Sequence, residues 1–155
     1  MRVMSRRAML GQLAGATAIA AAFTRSGGAQ SPIKIVVYKD PSCGCCQKWV
    51  EHMNANGFIA SVTNTDMRPI KTQHKIAPHL ESCHTTLVGG YVVEGHVPAS
   101  DVKRLLKERP QGILGLTIPG MPASAPGMDV MPFQPYTVLT FDAQGKTAVY
   151  SRHER

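Results

Sequence analysis

Ile33-Lys34-Ile35-Val36-Val37-Tyr38 is a nearly continuous apolar and β-branched run, the pattern of a buried central strand. Asp40-Pro41-Ser42 breaks it. From about Cys46 to Asn56 the period changes. Trp49, Val50 and Met53 share one face, while Gln47, Lys48, Glu51 and His52 fall mostly on the other. That spacing predicts a helix, stopped at Asn56-Gly57 by a glycine suited to the left-handed position. Phe58 to Thr63 alternates Phe58/Ala60/Val62 against Ile59/Ser61/Thr63, the period of a strand. Asn64 to Ser82 is polar and broken by Pro69 and Pro78, with room for short helices around Ile70–Lys75 and Pro78–Ser82.

Thr85–Val88 and Tyr91–Glu94 are two more strand-like runs, and Gly89-Gly90 between them signals a hairpin. Ser100 suits a helix N-cap, and Asp101–Arg109 follows with Val102, Leu105 and Leu106 on its inner face, ended by Pro110. Strand–helix–strand implies a right-handed crossover with parallel pairing. With the later strand–strand–helix unit, this is an α/β chain with the topology of a thioredoxin-like fold. Pro110–Pro135 reads as a long ordered Pro/Gly/Met-rich loop anchored by Ile113, Leu114, Leu116 and Ile118. Tyr136–Phe141 and Thr147–Tyr150 predict a C-terminal β-hairpin that extends the sheet or caps a site.

The first 29 residues differ from the rest. Arg2, Arg6 and Arg7 precede an apolar run from Met9 to Phe23, and Gly27-Gly28-Ala29 supplies small residues for cleavage before Gln30. This is the pattern of an export signal, and Ser5-Arg6-Arg7 resembles a twin-arginine start. Residues 30–155 are then the mature, exported domain. The apolar run is short for a membrane span. Charge changes meaning accordingly. The whole chain carries +7, but residues 1–29 hold four arginines and no acid, which leaves 13 basic against 10 acidic side chains, or +3. That balance does not suggest a nucleic-acid binder.

The chain has four cysteines, three of them in Cys43-Gly44-Cys45-Cys46 at the first strand–helix junction. In an exported protein an even number points to disulfides. The spacing argues against that here. Cys45 and Cys46 are adjacent, and Cys43 to Cys46 is a redox-type spacing rather than a loop staple, since a bridge there closes almost no chain entropy. The start of a helix favours thiolate over thiol, the basis of Cys-X-X-Cys redox chemistry, but a dithiol enzyme has no need of the third sulfur. In thioredoxin-like topology the residue before the third strand faces that junction. Thioredoxins place a cis-proline there; this chain has Cys83-His84. Four sulfurs, with His84 as a candidate imidazole, make a soft donor set that selects Cu(I) or zinc over hard cations, and the methionines lean the choice toward copper. Thioether is an acceptable Cu(I) ligand, so Met121 and Met128 are further candidates, while Met131 has no assigned role. Met53 and Trp49 are expected in the core. His52, His74, His79, His96 and His153 are expected on the surface, and Lys39 and Lys48 in solvent.

The run Tyr38-Lys39-Asp40-Pro41-Ser42-Cys43-Gly44-Cys45-Cys46, with Ser82-Cys83-His84-Thr85, Ile118-Pro119-Gly120-Met121-Pro122 and Pro126-Gly127-Met128, resembles a bacterial family once described only as a domain of unknown function. That family includes the CopG-type copper-resistance proteins of the periplasm. The resemblance covers nearly all of residues 33–142 and implies a thioredoxin-like protein holding a thiolate-bridged multinuclear copper cluster. It also implies interconversion of Cu(I) and Cu(II), with other periplasmic copper-handling proteins as partners. Cys43, Cys45, Cys46 and Cys83 match the family's cluster cysteines. One departure is Ala123-Ser124-Ala125, where a Gly-Ser pair is expected. Two alternatives stay open: a thiol–disulfide oxidoreductase working through Cys43 and Cys46, and a structural zinc module of Cys₄ or Cys₃His type.

Overall fold

The computed structural model describes residues 31–154. The export signal expected at residues 1–29 lies outside them. The elements run β1 (Ile33–Lys39), α1 (Gly44–Ala55), β2 (Phe58–Asn64), α2 (Met67–Gln73), a 3-10 turn at Pro78–Leu80, β3 (His84–Val88), β4 (Tyr91–Glu94), α3 (Ala99–Glu108), β5 (Gly115–Thr117), β6 (Tyr136–Phe141) and β7 (Thr147–His153). One mixed sheet of seven strands has the order β2-β1-β3-β4-β5-β6-β7. The pairs β1–β2 and β4–β5 are parallel. The other neighbours are antiparallel.

Side-chain alternation divides the core between the two faces of the sheet. On one face Ile35 and Val37 of β1 and Val93 of β4 pack with Trp49 and Met53 of α1 and Leu105 of α3. On the other, Val92 and Phe141 pack with Ile76 and Leu80. β1 is an inner strand, but it buries one face rather than two: Lys34 and Val36 are exposed between buried Ile35 and Val37. Trp49 is fully buried, and its indole N–H donates to Val97 O at 2.9 Å. Its position on α1 and its single polar bond explain why a bulky amphipathic ring sits at the centre.

The structure departs from the expected pattern in four places. Gly115–Thr117, expected within a loop, is β5, and it joins the C-terminal hairpin to the sheet. A three-residue strand is too short to show a period, and its glycine is there for space. A Cβ on Gly115 would lie 1.6 Å from Val92 O. α1 begins at Gly44, two residues earlier than expected, and so takes in Cys45. α2 begins at Met67, with Asp66 as N-cap accepting from Arg68 N at 2.9 Å, rather than around Ile70. α3 starts at Ala99 after Pro98, so Ser100 is not its cap.

The free N–H at the start of α3 is instead satisfied from α1. Ala99 N donates to His52 Nε2 at 3.2 Å. His153, expected on the surface, is partly buried. Its Nε2 lies 2.7 Å from Asp101 Oδ2, and Ser151 Oγ donates to the same oxygen at 2.9 Å, which ties β7 to α3. His74 is half-buried and His79 exposed.

His52 accepts its hydrogen bond only as neutral imidazole. Burial holds its pKa below the usual 6.5, against a smaller opposing effect of Asp129. The unfolded chain therefore binds the proton more readily, so this contribution is complete above pH 6.5 and is lost as pH falls through the lower folded value. We expect denaturant midpoints to drop on acidification below pH 6.5, with a shallower drop in His52→Phe. The variant should lose about 1 kcal/mol at neutral pH, the worth of one hydrogen bond.

Candidate metal centre

A side-chain turn delivers the first three sulfurs. Asp40 Oδ1 accepts Ser42 N–H at 2.8 Å, and Cys43 N donates to Asp40 O at 3.1 Å. The Ser42 hydroxyl, which also donates to Oδ1, and then the Ser42 N–H hold Asp40's carboxyl below the usual carboxylate range. The turn aims the chain into α1, with Cys43 at the N-cap position and Cys45 and Cys46 in the first turn. No acid lies in that turn and no side chain caps it, so its positive end faces the sulfurs uncompensated.

Cys43 and Cys46 are joined in a disulfide, at the spacing that reads as redox-type rather than as a loop staple, and no second bridge forms among the four cysteines. Loop entropy is a poor guide here because geometry decides. The helical turn sets the two Cα atoms 5.4 Å apart, inside the roughly 4.4–6.8 Å that a bridge requires. Cys45 and Cys83 are free thiols. Two of the four expected metal-binding sulfurs are therefore bonded to each other, and they become donors only on two-electron reduction. Cys45 Sγ lies 3.5 Å from Cys43 Sγ.

Cys83 arrives through the sheet. Antiparallel pairing of β1 with β3 sets Lys39 opposite His84, so the residue before β3 sits beside the end of β1, where the turn into α1 begins. The four sulfurs lie within 4.8 Å of one another. A second set of donors, Cys46, Cys83, His84 and His96, meets the same limit. His96 corrects the expectation of a surface residue: it is fully buried, with Nε2 3.0 Å from Cys83 Sγ. Its Nδ1 lies 2.7 Å from Pro126 O and must donate there, which leaves the Nε2 lone pair facing the sulfur. No local pattern marks His96; the only hint is its place just after a strand that returns toward Cys83. His84 is also fully buried. It packs on Trp49 with ring centroids 4.4 Å apart and has Nδ1 3.3 Å from Cys83 Sγ. Its Nε2 has no hydrogen-bond partner among the described residues. A buried nitrogen left in that state is costly unless something else binds it.

Burial also sets the charge state of the site. The Cys83 thiol is pushed up to about 12, chiefly by desolvation and then by the neighbouring Cys45. His84 is held well below 6.5 by burial, then by His96, Lys71 and Lys39, and His96 is lowered by burial too. At neutral pH the metal-free site is thus a neutral thiol beside neutral imidazoles, and a metal ion binding Cys83 must displace a proton. Lys39, expected in solvent, is buried, and its ammonium donates to Asp40 O at 2.9 Å. Lys48 is exposed, as expected.

The Pro/Gly/Met-rich loop is fastened on both sides of the sulfurs. Gly120 N donates to Glu81 O at 3.0 Å, and the Ser82 hydroxyl bonds Gly120 O. At the other end, Gly127 has φ +86°, and a Cβ there would lie 2.7 Å from Trp49 N and 3.0 Å from Cys45 O. Met121 and Met131 are exposed, at 51 % and 77 %, and Met128 is half-buried beside Gly127. Among the expected site residues, the structure thus brings Cys43, Cys45, Cys46, Cys83 and His84 together, while Met121 points its bulk to solvent.

A family model described as "Protein of unknown function, DUF411" matches residues 80–128, which include Cys83 and His96 but not the first three cysteines. Two solved structures, described as copper resistance protein copG in form 1 and form 2, are similar over most of the chain. Each is 35 % identical, and each match covers 79 % of this chain and 98 % of the solved one, with TM-scores of 0.73 and 0.72. No curated protein matches.

Alkylation of unfolded protein, read by mass spectrometry, should modify two cysteines without reductant and four after reduction. In the folded state Cys83 should react slowly at neutral pH because it is protonated and partly buried. Gly127→Ala should cost roughly 1–3 kcal/mol in chemical unfolding, since the new methyl meets backbone on α1.

Proposed function

Because the chain belongs to the family of CopG-type copper-resistance proteins, we propose that it binds copper for copper resistance, holding Cu(I) through Cys43, Cys45, Cys46 and Cys83. The observation that carries this reading is the convergence of four sulfurs within 4.8 Å of one another. Thiolates select soft ions and can each bridge two metals, so the set suits more than one Cu(I) per chain. His84 and His96 add imidazole donors at the Cys83 side of the site. Met121 and Met128 lie on the loop fastened around the sulfurs and are the remaining candidates. The order β2-β1-β3-β4, with the cysteines at the first strand–helix junction, supports a thioredoxin-like fold, in which Cys83 would take the place of the cis-proline.

The Cys43–Cys46 disulfide links this function to redox state. Two electrons and two protons convert it to two thiols and open the full donor set. Two Cu(I) ions can supply those two electrons and leave as Cu(II), and in the reverse step two Cu(II) ions take one electron each from the two thiols, which release two protons and re-form the S–S bond. Interconversion of Cu(I) and Cu(II) is the role we assign to that couple. We place it in the periplasm, after loss of residues 1–29, working with other copper-handling proteins; the basic and apolar pattern of that segment is the support.

The same disulfide favours a second reading, a thiol–disulfide oxidoreductase using Cys43 and Cys46. Its signature is catalysed reduction of a protein disulfide such as insulin without copper. The copper reading is tested by titrating reduced protein with Cu(I) against a strong bidentate chelator. More than one ion should bind per chain, fewer to the disulfide form, and fewer again to Cys43→Ser and Cys83→Ser. Equal binding by both variants and the parent sinks it. Zinc in excess should not displace the copper.

A further inference from the structure

We propose that Glu94, with Lys71 as its counter-ion, is a positioning residue that fixes the Cys83-His84 donor pair from behind the sheet. The inference rests on the reading of Cys83 as a copper ligand. Glu94 ends β4 opposite Thr85 and is fully buried. Its side chain lies on the Val92 face of the sheet, whereas Val93 and His84 face Trp49. From there its carboxylate holds both flanks of the donor pair. Oε1 accepts Ser82 N–H at 2.7 Å, and Oε2 accepts the Thr85 hydroxyl at 2.7 Å. The Lys71 ammonium bonds Oε1 and also donates to Ser82 O at 2.9 Å. The next residue continues the grip: Gly95 N donates to His84 O at 2.9 Å. Gly95 has φ +76°, and a Cβ there would lie 2.3 Å from Ser82 Oγ, so the close approach needs glycine. His96 then meets Cys83 Sγ.

Stability does not account for this ion pair. Taking two charges out of water costs several kcal/mol, and apolar pairs of similar volume often serve a fold as well or better. An apolar pair would fill the space, but it would bond neither the Ser82 N–H nor the Thr85 hydroxyl. What the carboxylate alone supplies is direction: two oxygens in a fixed plane locate the residues before and after Cys83-His84. The donors are Cys83 and His84 between them, and Glu94 itself bonds neither sulfur nor imidazole. Groups that orient ligands in this way usually change metal affinity by about 10–100-fold when removed.

The test compares Cu(I) affinity with unfolding midpoint in the reduced full chain. Lys71→Met/Glu94→Leu should bind Cu(I) about 10–100-fold more weakly than the parent in chelator competition. Lys71→Met/Glu94→Gln restores one acceptor oxygen without charge and should recover part of the loss. His153→Ala, which releases β7 from Asp101, should lower the midpoint without moving Cu(I) affinity, which separates positioning from general loosening. Should the double variant fail to fold, Thr85→Val deletes one partner of Glu94 and should still weaken Cu(I) binding severalfold. Parent-like affinity in these variants, with the parent binding Cu(I), overturns the proposal and leaves the copper reading standing. A parent that binds no Cu(I) overturns both.

Discussion

Antiparallel pairing of β1 with β3 is the constraint on which the site depends. It brings a cysteine 37 positions beyond Cys46 to the turn where β1 ends and α1 begins. The register is fixed by burial. Ile35 and Val37 face the core, so a slip of one residue would expose them and carry Cys83 away from the other sulfurs. The pairing is thus held by the apolar packing of Ile35 and Val37 in the core, and the thiols take positions that the sheet imposes.

A soft donor site inside a fold has to be polar enough to bind and dry enough to select. Both requirements appear around Cys83. Trp49 covers one side of His84, and the loop from Gly120 to Gly127 closes over the turn that carries Cys45. Desolvation then favours neutral forms, a protonated thiol and uncharged imidazoles. The resting site avoids buried charge until a cation arrives to exchange for a proton. His84 Nε2, buried and unpaired, fits a site whose full complement of bonds includes a ligand. On the reverse face the Lys71–Glu94 pair is buried and fully bonded, and its partners are backbone and hydroxyl groups next to the donors.

The disulfide places thiol redox chemistry and metal binding in the same atoms. Cys43 and Cys46 cannot be bonded to each other and act as thiolate donors at once. Cys45, the sulfur that a dithiol enzyme does not require, stays free beside the bridge with Cys83. Reduction therefore changes the donor count by two.

The strand and helix periods were legible in the chain because burial on one face writes a period into local sequence. β1, α1, β2, the β3–β4 hairpin and α3 lie near where their apolar spacing puts them. The sulfur-rich junction was legible too, since Cys43, Cys45 and Cys46 are neighbours on the chain. Four features were not. β5 is three residues long and stands as a strand only because its neighbours pair with it. The cap of α3 comes from His52, 47 residues away. His96 looked like any surface histidine until folding buried it against Cys83. The bridge followed from the 5.4 Å between two Cα atoms, a distance that spacing alone left open. Sequence by itself determined which elements form and which donor atoms are at hand, because those depend on neighbours along the chain. Tertiary structure alone decided which donors meet and how dry their meeting place is, because register and burial are set by residues far apart in sequence.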